Sequence, residues 1–231
     1  MPDDETRAID AVLHLLDRQV VDRDGLMVCK VDDLELTEHQ DGTWEVTALL
    51  AGPPVLVPRL GGRLGAGLER WWRRLGVQQA DRLVPYRIGI SLVAELGSGV
   101  RLLAARDAVL QRQTQAPPSP GDIRRTLNDL LQLEARTADD QPVGQVLDLR
   151  LLRASTEPLR LVAQGIQVGP GRPGGNLGYD RNDEQGPWLI RRAVQWLQRH
   201  SGYVPIGELQ HVDWSEGTVT LKASPQPLEH A

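Results

Sequence analysis

The sequence predicts a mainly β chain with some helix, built as two similar halves, and three observations lead there. The stretch at residues 20–36, VVDRDGLMVCKVDDLEL, has a near-counterpart 115 positions later, ARTADDQPVGQVLDLRL at 135–151. Val28, Val31 and Leu34 of the first correspond to Val143, Val146 and Leu149 of the second. Both stretches read as hairpins, because apolar residues flank a turn rich in Asp and Gly, which tolerate the backbone angles a tight turn needs. Finally, each half continues with a strand, a Gly/Pro-rich loop, a helix, a Val-Pro pair (Val84-Pro85, Val204-Pro205) and a last hairpin, and this shared order weighs more than the shared residues.

At 231 residues the chain is long enough for two domains of about 100 residues each. The boundary falls at residues 116–120, APPSP, where proline stiffens the backbone and removes donors, giving domains 1–115 and 116–231. In the first half a helix is expected over residues 4–16, with Ile9, Val12, Leu13 and Leu16 on one face. After the hairpin, Asp41-Gly42 turns into a strand at 43–50 that places Trp44, Val46 and Ala48 on one side. A Gly/Pro-rich loop at 52–67 leads to a helix at 68–75, and strands follow at 81–90, 92–96 and 100–104, with a helical tail at 106–115. The second half retraces this order. A helix is expected at 121–133, then the hairpin, a strand at 159–168, a loop at 169–178, a helix at 188–200 and the hairpin 209–221.

Composition bounds the function. The chain is 40% hydrophobic and 25% charged, an ordinary soluble balance, with no Phe and with six Trp to supply large-volume packing. A net charge of -5 argues against DNA and general RNA binding, which need clustered positive charge. The charge is uneven. Residues 3–45 hold thirteen acidic side chains, whereas 59–74 hold five Arg against Glu69, a dipole that either guides a partner or pairs with itself. Cys29 is the only cysteine, so an internal disulfide or cysteine-based metal cage is excluded and a reducing cytoplasm fits. The acidic, polar start is unlike a signal peptide, and no run approaches the roughly 18 apolar residues of a membrane span.

The two halves resemble the PRC-barrel family, named for the cytoplasmic domain of the photosynthetic reaction centre H subunit and also found in a ribosome maturation factor. The resemblance rests on Asp24-Gly25-Leu26-Met27-Val28-Cys29-Lys30-Val31, with Cys29 where the family usually has a second Gly, and on Val84-Pro85-Tyr86. In the second half it rests on Pro142-Val143-Gly144-Gln145-Val146, which keeps Gly144 but lacks the turn glycine. It covers about residues 16–106 and 131–223. It implies a small, strongly bent antiparallel barrel in each half, elaborated by the Gly/Pro-rich loop and helix. It also implies an interaction module with no shared active site, ligand or cofactor.

The candidate partner site is the insert carrying Arg59, Arg63, Arg70, Trp71, Arg73 and Arg74. Adjacent Trp71 and Trp72 point about 100° apart on a helix, so they do not share one core face, and an exposed Trp among Arg has the composition of an interface hot spot. The plainer alternative has Leu68, Trp72 and Leu75 plugging the barrel while Trp71 covers the neighbouring half. The same Arg-Trp helix would suit an anionic membrane surface, although it is barely two turns long. The helix at 188–200 is ordinarily amphipathic. The glycine-rich loop at 169–179 lacks the following helix and Lys of a phosphate loop. Asp22, Asp24, Asp32 and Asp33 lack calcium-loop spacing and read as turn and strand-edge residues, and the five His have no paired zinc spacing. Cys29, inside an apolar strand, reads as a small hydrophobe. The expectation is a cytoplasmic, non-enzymatic adaptor that binds a protein, with a second copy of itself among the candidate partners. The other readings are a ribosome- or RNA-linked accessory and a regulatory module beside a membrane protein.

Overall fold

The computed structural model describes residues 8–52, 85–109, 119–154, 158–170 and 201–227. Within these the protein is mainly β, with sixteen strands and only short helical turns. The Gly/Pro-rich inserts and their helices, including Arg59, Arg63, Arg70, Trp71, Arg73 and Arg74, and the helix expected at 188–200 lie outside the described residues. Compact packing divides the chain into one unit of Met1–Ile9, His14–Asn128 and Leu152–Val162, and a second of Asp10–Leu13, Asp129–Leu151 and Ala163–Ala231.

In the first unit the expected hairpin forms from β2 (Gln19–Val21) and β3 (Met27–Lys30), antiparallel with Val20 opposite Cys29. Its other neighbour is β8 (Val100–Leu102), which runs parallel to β2 with Val20 opposite Val100 and pairs in turn with β7 (Val93–Leu96). The sheet order is therefore β3-β2-β8-β7. A second group is built on β4 (Asp33–Glu38) and β5 (Trp44–Ala51), joined by the Asp41-Gly42 turn with Gly42 at φ +80°. The far side of β5 takes β6 (Tyr86–Gly89), with Leu49 opposite Ile88, and the start of β12 (Arg160–Gly169), with Leu161 opposite Val46. Leu34, Trp44, Val46, Ala48, Ile88 and Leu161 form its buried interior.

The second unit repeats the first sheet's pattern. Strand β10 (Glu134–Thr137) is antiparallel to β11 (Pro142–Ala154), with Ala135 opposite Gly144, and parallel to β15 (Thr218–Leu221), with Ala135 opposite Val219. Strand β14 (Leu209–Asp213) closes the order β11-β10-β15-β14. A one-turn 3-10 segment precedes the last hairpin in each case, Ile90–Leu92 before β7 and Ile206–Glu208 before β14. Strand β13 (Gly202–Pro205) pairs with the later part of β12 and with β16 (Gln226–Pro227). Gly144 shows why this hairpin tolerates no side chain. Its φ is +145°, and a Cβ there would collide with the Gly169 carbonyl.

Two expected helices are corrected. Residues 8–14 form β1 (Ala8–Asp10) followed by one helical turn, α1 (Ala11–His14), and the tail after β8 keeps a turn, α2 (Arg106–Val109). Residues 121–133 likewise form β9 (Ile123–Thr126) and then α3 (Leu127–Leu131). A helix of one turn fixes several dihedrals for a single hydrogen bond and does not stand alone, so something remote in the chain must hold each of these.

Candidate functional site

The holder is a set of buried aspartates. Asp33 Oδ1 accepts the Leu34 amide at 2.8 Å and the Asn128 amide of α3 at 3.2 Å. Asp148 Oδ1 accepts the Leu149 amide at 2.7 Å and the Val12 amide of α1 at 2.8 Å. The two side chains occupy corresponding positions of DLEL and DLRL and make the same two bonds. Asp22, 1% exposed, does similar work in its hairpin. Its Oδ1 takes the amides of Asp24 (2.9 Å) and Leu26 (2.8 Å), and its Oδ2 takes the Arg106 amide that opens α2 (3.0 Å). Burial opposes its ionisation, but the amides of Arg106, Leu26 and Asp24 outweigh that and hold the carboxyl below its ordinary range. Asp22, in the turn after β2, and Asp33, at the first position of β4, are thus turn and strand-edge residues whose carboxylates are buried and accept backbone amides.

The site with most structure is the polar face of β4. The alternation of DLELTE puts Leu34 and Leu36 on one face and Asp33, Glu35 and Thr37 on the other, and all five are buried. Glu35, 3% exposed, receives Arg87 of β6 in a bidentate clasp, Nε at 3.0 Å from both oxygens and Nη2 at 2.6 Å from Oε1. The Thr47 hydroxyl donates to Oε1 at 2.7 Å, and Arg124 of β9 brings Nε to 3.6 Å from Oε2. Desolvation pushes the Glu35 pKa up, but the Arg87 and Thr47 hydrogen bonds and the charges of Arg87 and Arg124 leave it lowered on balance.

Strand β9 therefore docks on β4 by two means at once. The backbone pairs antiparallel from Glu35 opposite Thr126 to Glu38 opposite Ile123, and charged side chains fix which segment sits there. The lead-in is held as well. His39 Nδ1 lies 3.2 Å from Asp122, its Nε2 lies 3.6 Å from Glu45, and the Gln40 amide donates to the Pro120 carbonyl. Arg160 grips Glu45 with bonds of 2.9 and 2.8 Å, and this clasp foremost holds the Glu45 pKa down. The second unit has a counterpart of opposite sign. Arg150, which corresponds to Glu35, donates to Asp10 at 3.0 and 3.4 Å while its guanidinium lies 5.3 Å from the centre of the Tyr203 ring.

No cluster of three His, Cys, Asp or Glu fit for a metal occurs among the described residues. No described helix is long and apolar enough to cross a membrane. Cys29 lies half-buried in β3, and burial, then Asp32, pushes its thiol up to about 11. The exposed large apolar side chains include Leu26, Met27 and Leu103 near one end of the β3-β2-β8-β7 sheet.

No protein-family model matches the chain, and no curated protein matches it in sequence. Sequence reasoning passed over Glu35, Arg87, Arg124, Asp148 and Arg150. A signal for three of them was the pair DLEL and DLRL, in which the buried aspartate is kept and the next charged residue changes sign.

Proposed function

We propose that the chain is a non-enzymatic protein-binding adaptor composed of two equivalent PRC-barrel-like halves. The observation that supports this best is the docking of an extended, charged segment on β4. Strand pairing supplies the affinity there, and the Glu35 clasp with Arg87 and Arg124 supplies the selectivity, which is how a β-sheet module recognises a peptide. The side chains around Glu35 engage one another, as a positioning network does. The matched strand orders β3-β2-β8-β7 and β11-β10-β15-β14 and the matched roles of Asp33 and Asp148 support the two-halves reading.

The face for an external partner is the insert bearing Arg59, Arg63, Arg70, Trp71, Arg73 and Arg74, and its setting is the cytoplasm. An interface hot spot of this composition typically contributes about 2 kcal/mol or more per anchor. The test compares the wild type with a folded Trp71→Ala, Arg73→Ala, Arg74→Ala variant in affinity capture from cytoplasmic extract, followed by binding of the purified candidate. A purified partner that binds the wild type at least about 30-fold more tightly than the variant supports the insert as the site. Equal binding places the partner on another face, and loss of folding stability in the variant places Trp71 in the core.

A further inference from the structure

We propose that the β4 edge also takes its Ile123–Thr126 strand from a second copy of this chain, giving a dimer by reciprocal segment exchange. This rests on the reading of β4 as a segment-docking site and names its partner. The segments that complete the units are exchanged along the chain. The first unit includes Ile123–Thr126 and Asn128, which belong to the second half by order, and the second includes Asp10–Leu13, which belong to the first half.

Charge fixes the exchange. Arg124 meets Glu35, and Asp10 meets Arg150. Were each segment to fold back on its own half, Asp10 would face Glu35 and Arg124 would face Arg150, like charges at buried or half-buried positions. Such juxtapositions are strongly unfavourable, so each segment is addressed to the opposite half. The same addresses exist on a second copy. A segment from another chain would make the identical Glu35, Asp33 and His39 contacts, since Arg124, Asn128 and Asp122 all travel with it. When the contacts are identical, chain connectivity alone decides between the two arrangements, and this is the condition for domain swapping. Because the second half also receives Asp10 from the first, and Leu152–Val162 crosses to the first unit along with Ile123–Thr126, the exchange carries these crossings together and closes as a symmetric pair.

The test uses full-length chains in a Cys29→Ser background. Glu38 and Ile123 are direct cross-strand partners, and Ile123 is 41% exposed. Opposed residues in an antiparallel pair are about 4.5–5.5 Å apart at Cα, within disulfide range. A chain carrying both Glu38→Cys and Ile123→Cys is oxidised as one experiment. In the other, a Glu38→Cys chain and an Ile123→Cys chain are refolded together at about 1 mM, near the effective concentration of a short tether, and at about 1 μM. The pair Glu95→Cys and Ile123→Cys is the control, since Glu95 on β7 does not pair with β9.

The expected result is an intrachain disulfide in the double variant and, at the high concentration only, a cross-linked heterodimer at least about tenfold above the control. An intrachain disulfide with no heterodimer above the control overturns the exchange and leaves the docking site standing. Failure of both bonds overturns the docking site as well.

Discussion

Replacing Arg87 with Ala removes the bidentate partner of a carboxylate that is 3% exposed. Glu35 keeps the Thr47 hydroxyl at 2.7 Å and the Arg124 Nε at 3.6 Å, so its charge is only partly compensated. Stripping one partner from a buried ion pair costs about 3–5 kcal/mol, and the lower end applies because Arg124 remains and water can enter where the guanidinium stood. At a urea slope of about 2 kcal/mol/M, a loss of about 3 kcal/mol moves the midpoint down by roughly 1.5 M. Fluorescence of Trp44, buried on the neighbouring strand, is one reporter of the transition. The cost is pH-dependent with a definite sign. The folded-state pKa of Glu35 is lowered, so its stabilisation is fully present above the unfolded carboxyl value of about 4.3 and is lost as pH falls through the folded value. The difference between wild type and Arg87→Ala therefore shrinks as pH falls from 7 to 3, since below the ordinary carboxyl range the unfolded chain takes up a proton that the folded, clasped Glu35 resists. A Glu35→Gln, Arg87→Ala double variant shows a coupling of about 1–3 kcal/mol. A cost that is the same at both pH values, or single-variant losses that simply add, would refute the clasp as the source of the stability.

Asp33→Ala and Asp148→Ala each strand two amides and should each destabilise by about 1–3 kcal/mol, by closely similar amounts; thermal unfolding of the two variants checks this, and a gap above about 2 kcal/mol would break the equivalence. With its thiol pushed up to about 11, Cys29 should react with a thiol reagent at pH 8 on the order of 100-fold more slowly than an unfolded control whose pKa is about 8.5, and near-equal rates would show the strand opening.

What was legible in the sequence was whatever local chemistry decides. The hairpin at β2 and β3, the strand at β5 and the last hairpins of both units follow alternation and Asp or Gly turns, and their pairing partners lie close in the chain. The leading segments did not follow, and the reason is specific. Ile9, Val12, Leu13 and Leu16 recur at helical spacing, as do Ile123, Leu127, Leu130 and Leu131, yet a short strand ending in one helical turn satisfies the same spacing. What selects the second form is tertiary. Asp148 accepts the Val12 amide from 136 positions away, and Asp33 accepts the Asn128 amide from 95 away.

The acidic opening of the chain has a related physical basis. Asp22, Asp33 and Glu35 belong to the run that gives residues 3–45 their negative balance, yet all three are buried. Two of them hold backbone amides, and the third is neutralised by Arg87 and Arg124. Part of the charge asymmetry is therefore spent inside the protein rather than displayed on its surface. A carboxylate taken out of water without a partner is strongly destabilising, so these three make sense only with donors that the sequence places 84, 95 and 52 residues away. The sign change between Glu35 and Arg150 follows the same logic. Because the two leading segments carry opposite charges at Asp10 and Arg124, identical charges at positions 35 and 150 would attract one segment to both sites and repel the other from both, whereas opposite charges leave each segment one favourable address. Reversing both charges with Glu35→Arg and Arg150→Glu should therefore harm folding more than the loss of either ion pair alone, because it makes the wrong address the attractive one.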